Sequence, residues 1–170
     1  NLVPFGEFTP LESILSLIGL KTITNSYQSF SSGKTRIPLN VKNSKIDLIF
    51  LPLICYEIIY SGKLSKDNSF DYIINISEDG WFGKSIGPKQ HFSHSIFRSI
   101  ESGKYIIRSS NNGVSAIINP IGIVEQKVEF KSKGYVELSG SKLVKSTPFM
   151  QYGNKIFLML ILIYIFLIFS

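Results

Sequence analysis

The sequence predicts an α/β fold with a layered sheet, and three observations carry that expectation. Residues 46–53 and 71–77 are β-leaning runs with apolar residues at consecutive positions, as strands covered on both faces require. Between the second run and a third, residues 105–108, lies a stretch of helical spacing. Its apolar residues are Phe92, Ile96, Phe97 and Ile100, and Gly103 marks its end. Turn-bounded strands follow. Strand, helix, strand and then hairpins is the order of an α/β protein.

The opening ten residues hold Pro4, Gly6 and Pro10, which exclude a helix and favour an extended, turning segment. Glu7 sits there among Val3, Phe5 and Phe8, either turned to water or held inward by a cation. Residues 11–20 read as a short amphipathic helix, with Thr9 as N-cap, Pro10 at the first helical position and Gly19 as a stop. A Ser-rich loop runs to Gly33, and residues 37–41 suit a short strand.

The run 46–53 ends abruptly at Cys55, with Glu57 two residues on. A buried strand that delivers one thiol to its end is how an α/β fold presents a nucleophile. A plain core cysteine is the competing reading, since free Cys is among the most buried residue types. Residues 58–62 suit a short helix limited by Gly62. After the strand at 71–77, residues 78–88 form a Gly-rich loop around Trp81 and Phe82, the kind of loop that caps a core or lines a pocket. A helix over 90–102 comes next. Strands are expected at 105–108, at 114–118 after the Asn111-Asn112-Gly113 turn, at 123–128 after Ile121-Gly122, and at 134–138, where alternation suggests a half-exposed edge. Residues 146–154, with Pro148 and Gly153, read as a linker. Residues 156–169 are an unbroken hydrophobic run, so 155–170 is expected to be a transmembrane helix, although it falls short of the ~20 residues that usually span hydrocarbon.

With 170 residues the chain can bury a real core. Its net charge of +6 comes from scattered lysines with no aromatic-interleaved basic stripe. That argues against a nucleic-acid partner and fits a surface near anionic lipid headgroups. A single cysteine excludes an intrachain disulfide. His91 and His94 share a helix face, which leaves open a Cys–His pair or ordinary surface histidines. One cysteine and two histidines without a carboxylate at ligand spacing make only a weak metal signal, and no metal is expected.

Four separated motifs bring in a resemblance. Leu2-Val3-Pro4-Phe5-Gly6-Glu7-Phe8, Ile54-Cys55-Tyr56-Glu57, Trp81-Phe82-Gly83-x-Ser85-x-Gly87-Pro88-x-Gln90-His91-Phe92 and Arg108-x-x-Asn111-x-Gly113-x-Ser115-Ala116 occur in this order. Together with Arg98, Glu101, Gly103 and Thr147-Pro148, they resemble the apolipoprotein N-acyltransferases, membrane members of the nitrilase superfamily. The resemblance covers nearly the whole chain. It implies part of a nitrilase-like αββα sandwich at residues 1–145, a linker at 146–154 and a C-terminal transmembrane helix at 155–170, in the cell inner membrane with the sandwich facing the periplasm.

The resemblance also implies a chemistry. Cys55 matches the nucleophile of a Glu-Lys-Cys triad. It would take a fatty acyl chain from a phospholipid donor as a thioester and pass it to the N-terminal diacylglyceryl-cysteine of an apolipoprotein, with no metal or diffusible cofactor. Glu7 and Glu57 match further carboxylates of the family, better suited to holding a cation or ordering the pocket than to acting as primary base. The backbone N–H of Tyr56 is the candidate oxyanion donor, and Trp81 and Phe82 match a loop that shapes the acyl entrance.

The departures are specific. The family's triad lysine and glutamate lie upstream of the Leu2–Phe8 motif and are not in this sequence. Glu78 stands where the family usually has Asn, Phe149 where it often has Tyr, and Asn154 where it often has Asp. The chain alone is therefore expected to be inactive: the C-terminal part of a longer enzyme, a product of a split or decayed gene, or one piece of a two-chain assembly with a separate N-terminal fragment of the same enzyme. The alternatives are a non-catalytic membrane-tethered remnant and a nitrilase-type amidase.

Overall fold

A computed structural model describes residues 33, 35–44, 46–62 and 64–169. Two compact units divide the chain, Asn1–Thr35 and Arg36–Ser170. The first lies almost wholly outside the described residues, as do Glu7 and the helix expected at 11–20.

The second unit is built on a mixed sheet with strand order β1-β2-β3-β4-β5-β6. The strands are β1 (Leu39–Lys42), β2 (Asp47–Ile54), β3 (Tyr72–Glu78), β4 (Tyr105–Asn111), β5 (Ser115–Ile118) and β6 (Val124–Val128). β2, β3 and β4 are parallel, and the outer pairs are antiparallel. β3 crosses to β4 through helix α1 (Gly87–Ser102), which ends at Gly103 in the left-handed conformation that glycine adopts without strain. Any side chain on Gly103 would also crowd the Lys145 carbonyl and Thr147.

The register places Leu53, Asn75, Arg108 and Ala116 in one row across the sheet, all buried. Towards the N-terminal ends of the parallel strands this inner face is apolar, with Leu51, Ile73 and Ile106 joining Ile58, Leu64 and Phe70 in the core. Towards the C-terminal ends it turns polar, with Asn75, Ser77 and Arg108. Ligands of open α/β sheets bind outside those carboxyl ends. On the opposite face apolar residues stay half open, and Ile54 and Ile76 expose 67% and 61% of their surface.

Four expectations need correction. Helix α1 buries the apolar positions of its helical spacing only in part. His91, Ser95, Arg98, Ser99 and Ser102 face inward, Phe92 and Ile96 are only partly buried, and Phe97 and Ile100 lie outward at 54% and 47% exposure. Buried ionic groups on the sheet select a polar helix face with small serines, and this overrides hydrophobic periodicity.

Residues 134–138 add no strand. Their alternation is real, but among the described residues their backbone is met by a side chain and not by a strand: Gln126 donates to the Glu137 carbonyl and accepts from its N–H.

The linker at 146–154 contains helix α2 (Pro148–Tyr152), capped by the Thr147 hydroxyl, which accepts from Met150 N–H. A Thr-Pro start is a helix signal, and α2 delivers Met150 into the core.

The terminal run is helical, α3 (Lys155–Phe169). At 15 residues it is about 22 Å long, less than the ~30 Å of bilayer hydrocarbon. Among the described residues no helix is long and apolar enough to cross a membrane. α3 buries none of its side chains.

Candidate active site

Cys55 stands at the C-terminal end of β2, where the chain turns into a 3-10 segment, Cys55–Ile59. Its φ of 47° lies in the left-handed region, a conformation that costs a non-glycine residue about 1–3 kcal/mol and persists only where the surroundings enforce it. Those surroundings are polar. The Cys55 carbonyl oxygen accepts from His91 Nε2 at 3.2 Å and from Asn75 Nδ2 at 3.3 Å. Asn75 Nδ2 also donates to the Leu53 carbonyl at 2.9 Å. Before the turn, Ile54 N–H donates to Glu57 Oε2 at 2.9 Å. Behind it, Arg98 Nη1 donates to the Ile59 carbonyl at 3.1 Å.

Beneath the turn lies a buried ionic cluster. Asp79, in the 3-10 segment Asp79–Phe82 that follows β3, is fully buried. Arg108 Nη2 lies 2.8 Å from its Oδ2 and 3.0 Å from its Oδ1. His91 Nδ1 lies 2.8 Å and Ser77 Oγ 2.7 Å from the same Oδ1. Burial alone raises the Asp79 carboxyl, but the hydrogen bond with His91, the Arg108 charge and the Ser77 hydroxyl outweigh it and hold the group well below the usual carboxylate range. Burial pulls the Arg108 guanidinium below its ordinary value, against the opposing pull of Asp79 and Cys55. Its Nη1 donates to Asn75 Oδ1 and its Nε to the Val114 carbonyl, so this buried cation is satisfied on three sides. Gly113 closes the site from the β4–β5 turn. A Cβ there would collide with Asp79 Oδ2 and Ser110 Oγ, so no other residue fits.

The residues predicted from sequence fall into two groups. Cys55, Tyr56, Glu57 and Phe82 gather at the C-terminal ends of β2 and β3. Glu57 accepts from Arg36 Nη2 at 3.1 Å. Burial raises its carboxyl, but the bond from Ile54 and the Arg36 charge prevail and lower it. Tyr56 and Phe82 flank His91, with ring centroids 6.1 Å and 5.4 Å from the imidazole. Trp81 stands apart, 80% exposed. Glu78 accepts from Gly80 N–H and from Asn111 Nδ2, tying its loop to β4. Glu7 lies outside the described residues. His91, open to two readings from sequence, is buried and meets the Cys55 carbonyl rather than the thiol. His94 is half-buried beside Phe97.

Sequence reasoning did not single out Ser77, Asp79, Asn75 or Arg108 as a group. A signal was present: an arginine inside the apolar strand Tyr105-Ile106-Ile107-Arg108 needs a buried carboxylate, and Asp79 follows directly on the neighbouring strand. Among the described residues no group of three or more His, Cys, Asp or Glu side chains is arranged to hold a metal ion.

A partly exposed cysteine at a strand end of an α/β sheet narrows the class, and comparison supplies the family. The chain belongs to the carbon-nitrogen hydrolase family, which matches residues 20–139. Within it the chain is a homologue of the apolipoprotein N-acyltransferases. It is 40% identical to that of Rickettsia typhi over 156 residues, covering 91% of this chain and 30% of the relative. It is 35% identical to that of Caulobacter vibrioides over 165 residues, covering 96% and 31%. The chain thus spans about a third of the length of these relatives. Among solved structures, an amidase from Nesterenkonia sp. is similar at a TM-score of 0.46 with 13% identity, over 61% of this chain and 41% of that one.

Proposed function

We propose that this chain is the nucleophile-bearing part of an apolipoprotein N-acyltransferase. The observation that carries the reading is Cys55 itself, partly accessible at the end of β2 and held at φ 47° by donors from two other elements. A thiol placed this way can open an ester and conserve its acyl transfer potential.

The reaction has two halves. Cys55 Sγ attacks the acyl carbonyl carbon of a phospholipid ester. The carbon–oxygen bond breaks, and the thiol proton passes through a base to the leaving alkoxide. The α-amine of a lipoprotein's diacylglyceryl-cysteine then attacks the thioester, the carbon–sulfur bond breaks, and the amine proton returns to sulfur. The Tyr56 N–H opens the 3-10 turn, where amides lack an acceptor within the turn, and suits the oxyanion of both halves. Trp81 and Phe82 line the approach for the acyl chain. α3 anchors the enzyme at the inner membrane with the sheet on the periplasmic side, and the half-open face around Ile54 and Ile76 receives the second sheet of the sandwich.

Asp79 is not the base. Arg108 and His91 keep it ionised and weakly basic, and Ser77 stands between it and the sulfur. The base comes from the glutamate and lysine that the resemblance places ahead of the Leu2–Phe8 motif. The test is intact-mass analysis after incubation with phospholipid vesicles, with the chain co-expressed with the N-terminal two-thirds of the Rickettsia typhi relative. A hydroxylamine-sensitive acyl adduct that disappears in Cys55→Ser is the expected result. A folded chain whose Cys55 still reacts with iodoacetamide but never gains an acyl mass overturns the reading.

A further inference from the structure

Cys55 Sγ has a neighbour that the acyl-transfer scheme does not use. Ser77 Oγ lies 3.6 Å from Sγ and 2.7 Å from Asp79 Oδ1. A hydroxyl has one hydrogen to give. Asp79 is ionised, and a carboxylate only accepts, so the short charge-assisted bond claims that hydrogen. Ser77 then turns only lone pairs toward the sulfur. A thiol can answer them by donating its S–H, whereas a thiolate meets them as repulsion. The arrangement is rigid because Asp79 cannot turn away: Arg108 grips both its oxygens and Gly113 backs it closely.

We propose that Ser77, with its hydrogen committed to Asp79, is a positioning residue that accepts the Cys55 S–H and holds the resting nucleophile as a thiol in one rotamer. The inference rests on the reading of Cys55 as nucleophile but not on the identity of the acyl donor. It assigns the cluster beneath the turn a definite sign. The cluster restrains the sulfur, and activation comes from a base on the other side, which removes a proton already aimed by Ser77. Among the described residues, Arg108 on β4 acts on Cys55 through its charge; the other titratable groups that meet the turn or Ser77 are Tyr56 and Glu57 on the turn itself, His91 on α1 and Asp79 beyond β3.

The rate of Cys55 alkylation by iodoacetamide against pH reads the thiolate fraction directly, on the full detergent-extracted chain and without lipid. Ser77→Ala removes the acceptor. Its alkylation midpoint is expected at lower pH, and its rate at pH 7 roughly three- to tenfold higher, the effect of one ordinary hydrogen bond. Ser77→Thr keeps the hydroxyl and restores the wild-type profile. Asp79→Asn can offer an N–H to Ser77 and turn the Ser77 hydrogen toward sulfur, so its midpoint falls further. A midpoint unchanged or raised in both Ser77→Ala and Asp79→Asn overturns the proposal, since Ser77 would then be a bystander or a donor to the thiolate. Failure of lipid acylation with the alkylation shifts intact would strike the acyltransferase reading alone.

Discussion

The Nε2 atom of His91 lies 3.2 Å from the carbonyl oxygen of Cys55. The histidine of the α1 helix therefore meets the backbone of Cys55 and not its sulfur. A carbonyl only accepts, so Nε2 carries a hydrogen. Donation at this point, with Asn75 beside it, satisfies the carbonyl that the left-handed Cys55 conformation turns inward.

His91→Gln and His91→Asn separate the two ends of this ring. A glutamine amide reaches the Nε2 position and can still donate to the Cys55 carbonyl; an asparagine amide reaches only the Nδ1 position, next to Asp79. Loss of one buried hydrogen-bond partner costs about 1–3 kcal/mol. Thermal unfolding should place Gln closer to wild type than Asn, and Cys55 alkylation should follow the same order. Equal loss in both would show that the Cys55 carbonyl does not depend on His91.

Asp79 sets an acid limit on stability. Its folded pKa is depressed far below the unfolded value of about 3.9. At acid pH the unfolded chain binds a proton that the folded chain refuses, so stability rises with pH. The Asp79 contribution is fully present above about pH 5, and it is lost as pH falls through the unfolded value toward the folded one. Urea unfolding between pH 7 and pH 3 should show this loss, and Asp79→Asn should flatten it. The variant should also be weaker at pH 7 by about 3–5 kcal/mol, because it strands Arg108 as a buried charge. A pH slope equal in both proteins would place the acid sensitivity elsewhere.

Gly113 is held open by its neighbours. Gly113→Ala drives a methyl into Asp79 Oδ2 and Ser110 Oγ, and Asp79 cannot retreat because Arg108 holds both its oxygens. Overpacking of this kind costs about 1–3 kcal/mol. Gly140→Ala, where a Cβ meets open space, should stay within about 0.5 kcal/mol of wild type. Chemical denaturation of the pair reads the difference.

The legibility of the sheet and of the site differed for a physical reason. β2, β3 and β4 were visible because a strand buried on both faces must be apolar at consecutive positions. Cys55 stood out as a lone thiol at the end of such a strand, a pattern that a nucleophile and a plain core cysteine share. The orientation of α1 was not visible: periodicity locates the apolar positions, but here Phe92 and Ile96 are only partly buried against the core and Phe97 and Ile100 face outward, while His91, Ser95 and Arg98 take the buried face. The Asp79–Arg108 pair is a contact across two strands, set by register, which a single sequence does not print. Residues 134–138 show the converse: an alternating pattern fits a strand, but strand formation also needs a free edge in register, and Gln126 already occupies that place with its side chain.

Helix α3 tests the membrane part of the proposal. Its exposed surface is apolar all round, with Phe157, Leu162, Tyr164 and Phe166 each well exposed. The 15-residue length is too short for an untilted span of average thickness, so docking at a bilayer requires local thinning or help from flanking residues. A charge at the centre of such a helix costs about 2.5–3.5 kcal/mol of insertion. Leu162→Lys should therefore reduce co-sedimentation with phospholipid vesicles by roughly a hundredfold in partition coefficient. Lys127→Leu, on β6 and far in sequence from α3, should not reduce it. The core anchor Met150 lies ahead of α3, so a chain ending at Asn154 should keep its thermal transition and lose vesicle binding altogether. Binding that survives both changes would mean that the sheet unit, with its half-open apolar face, holds the membrane by itself.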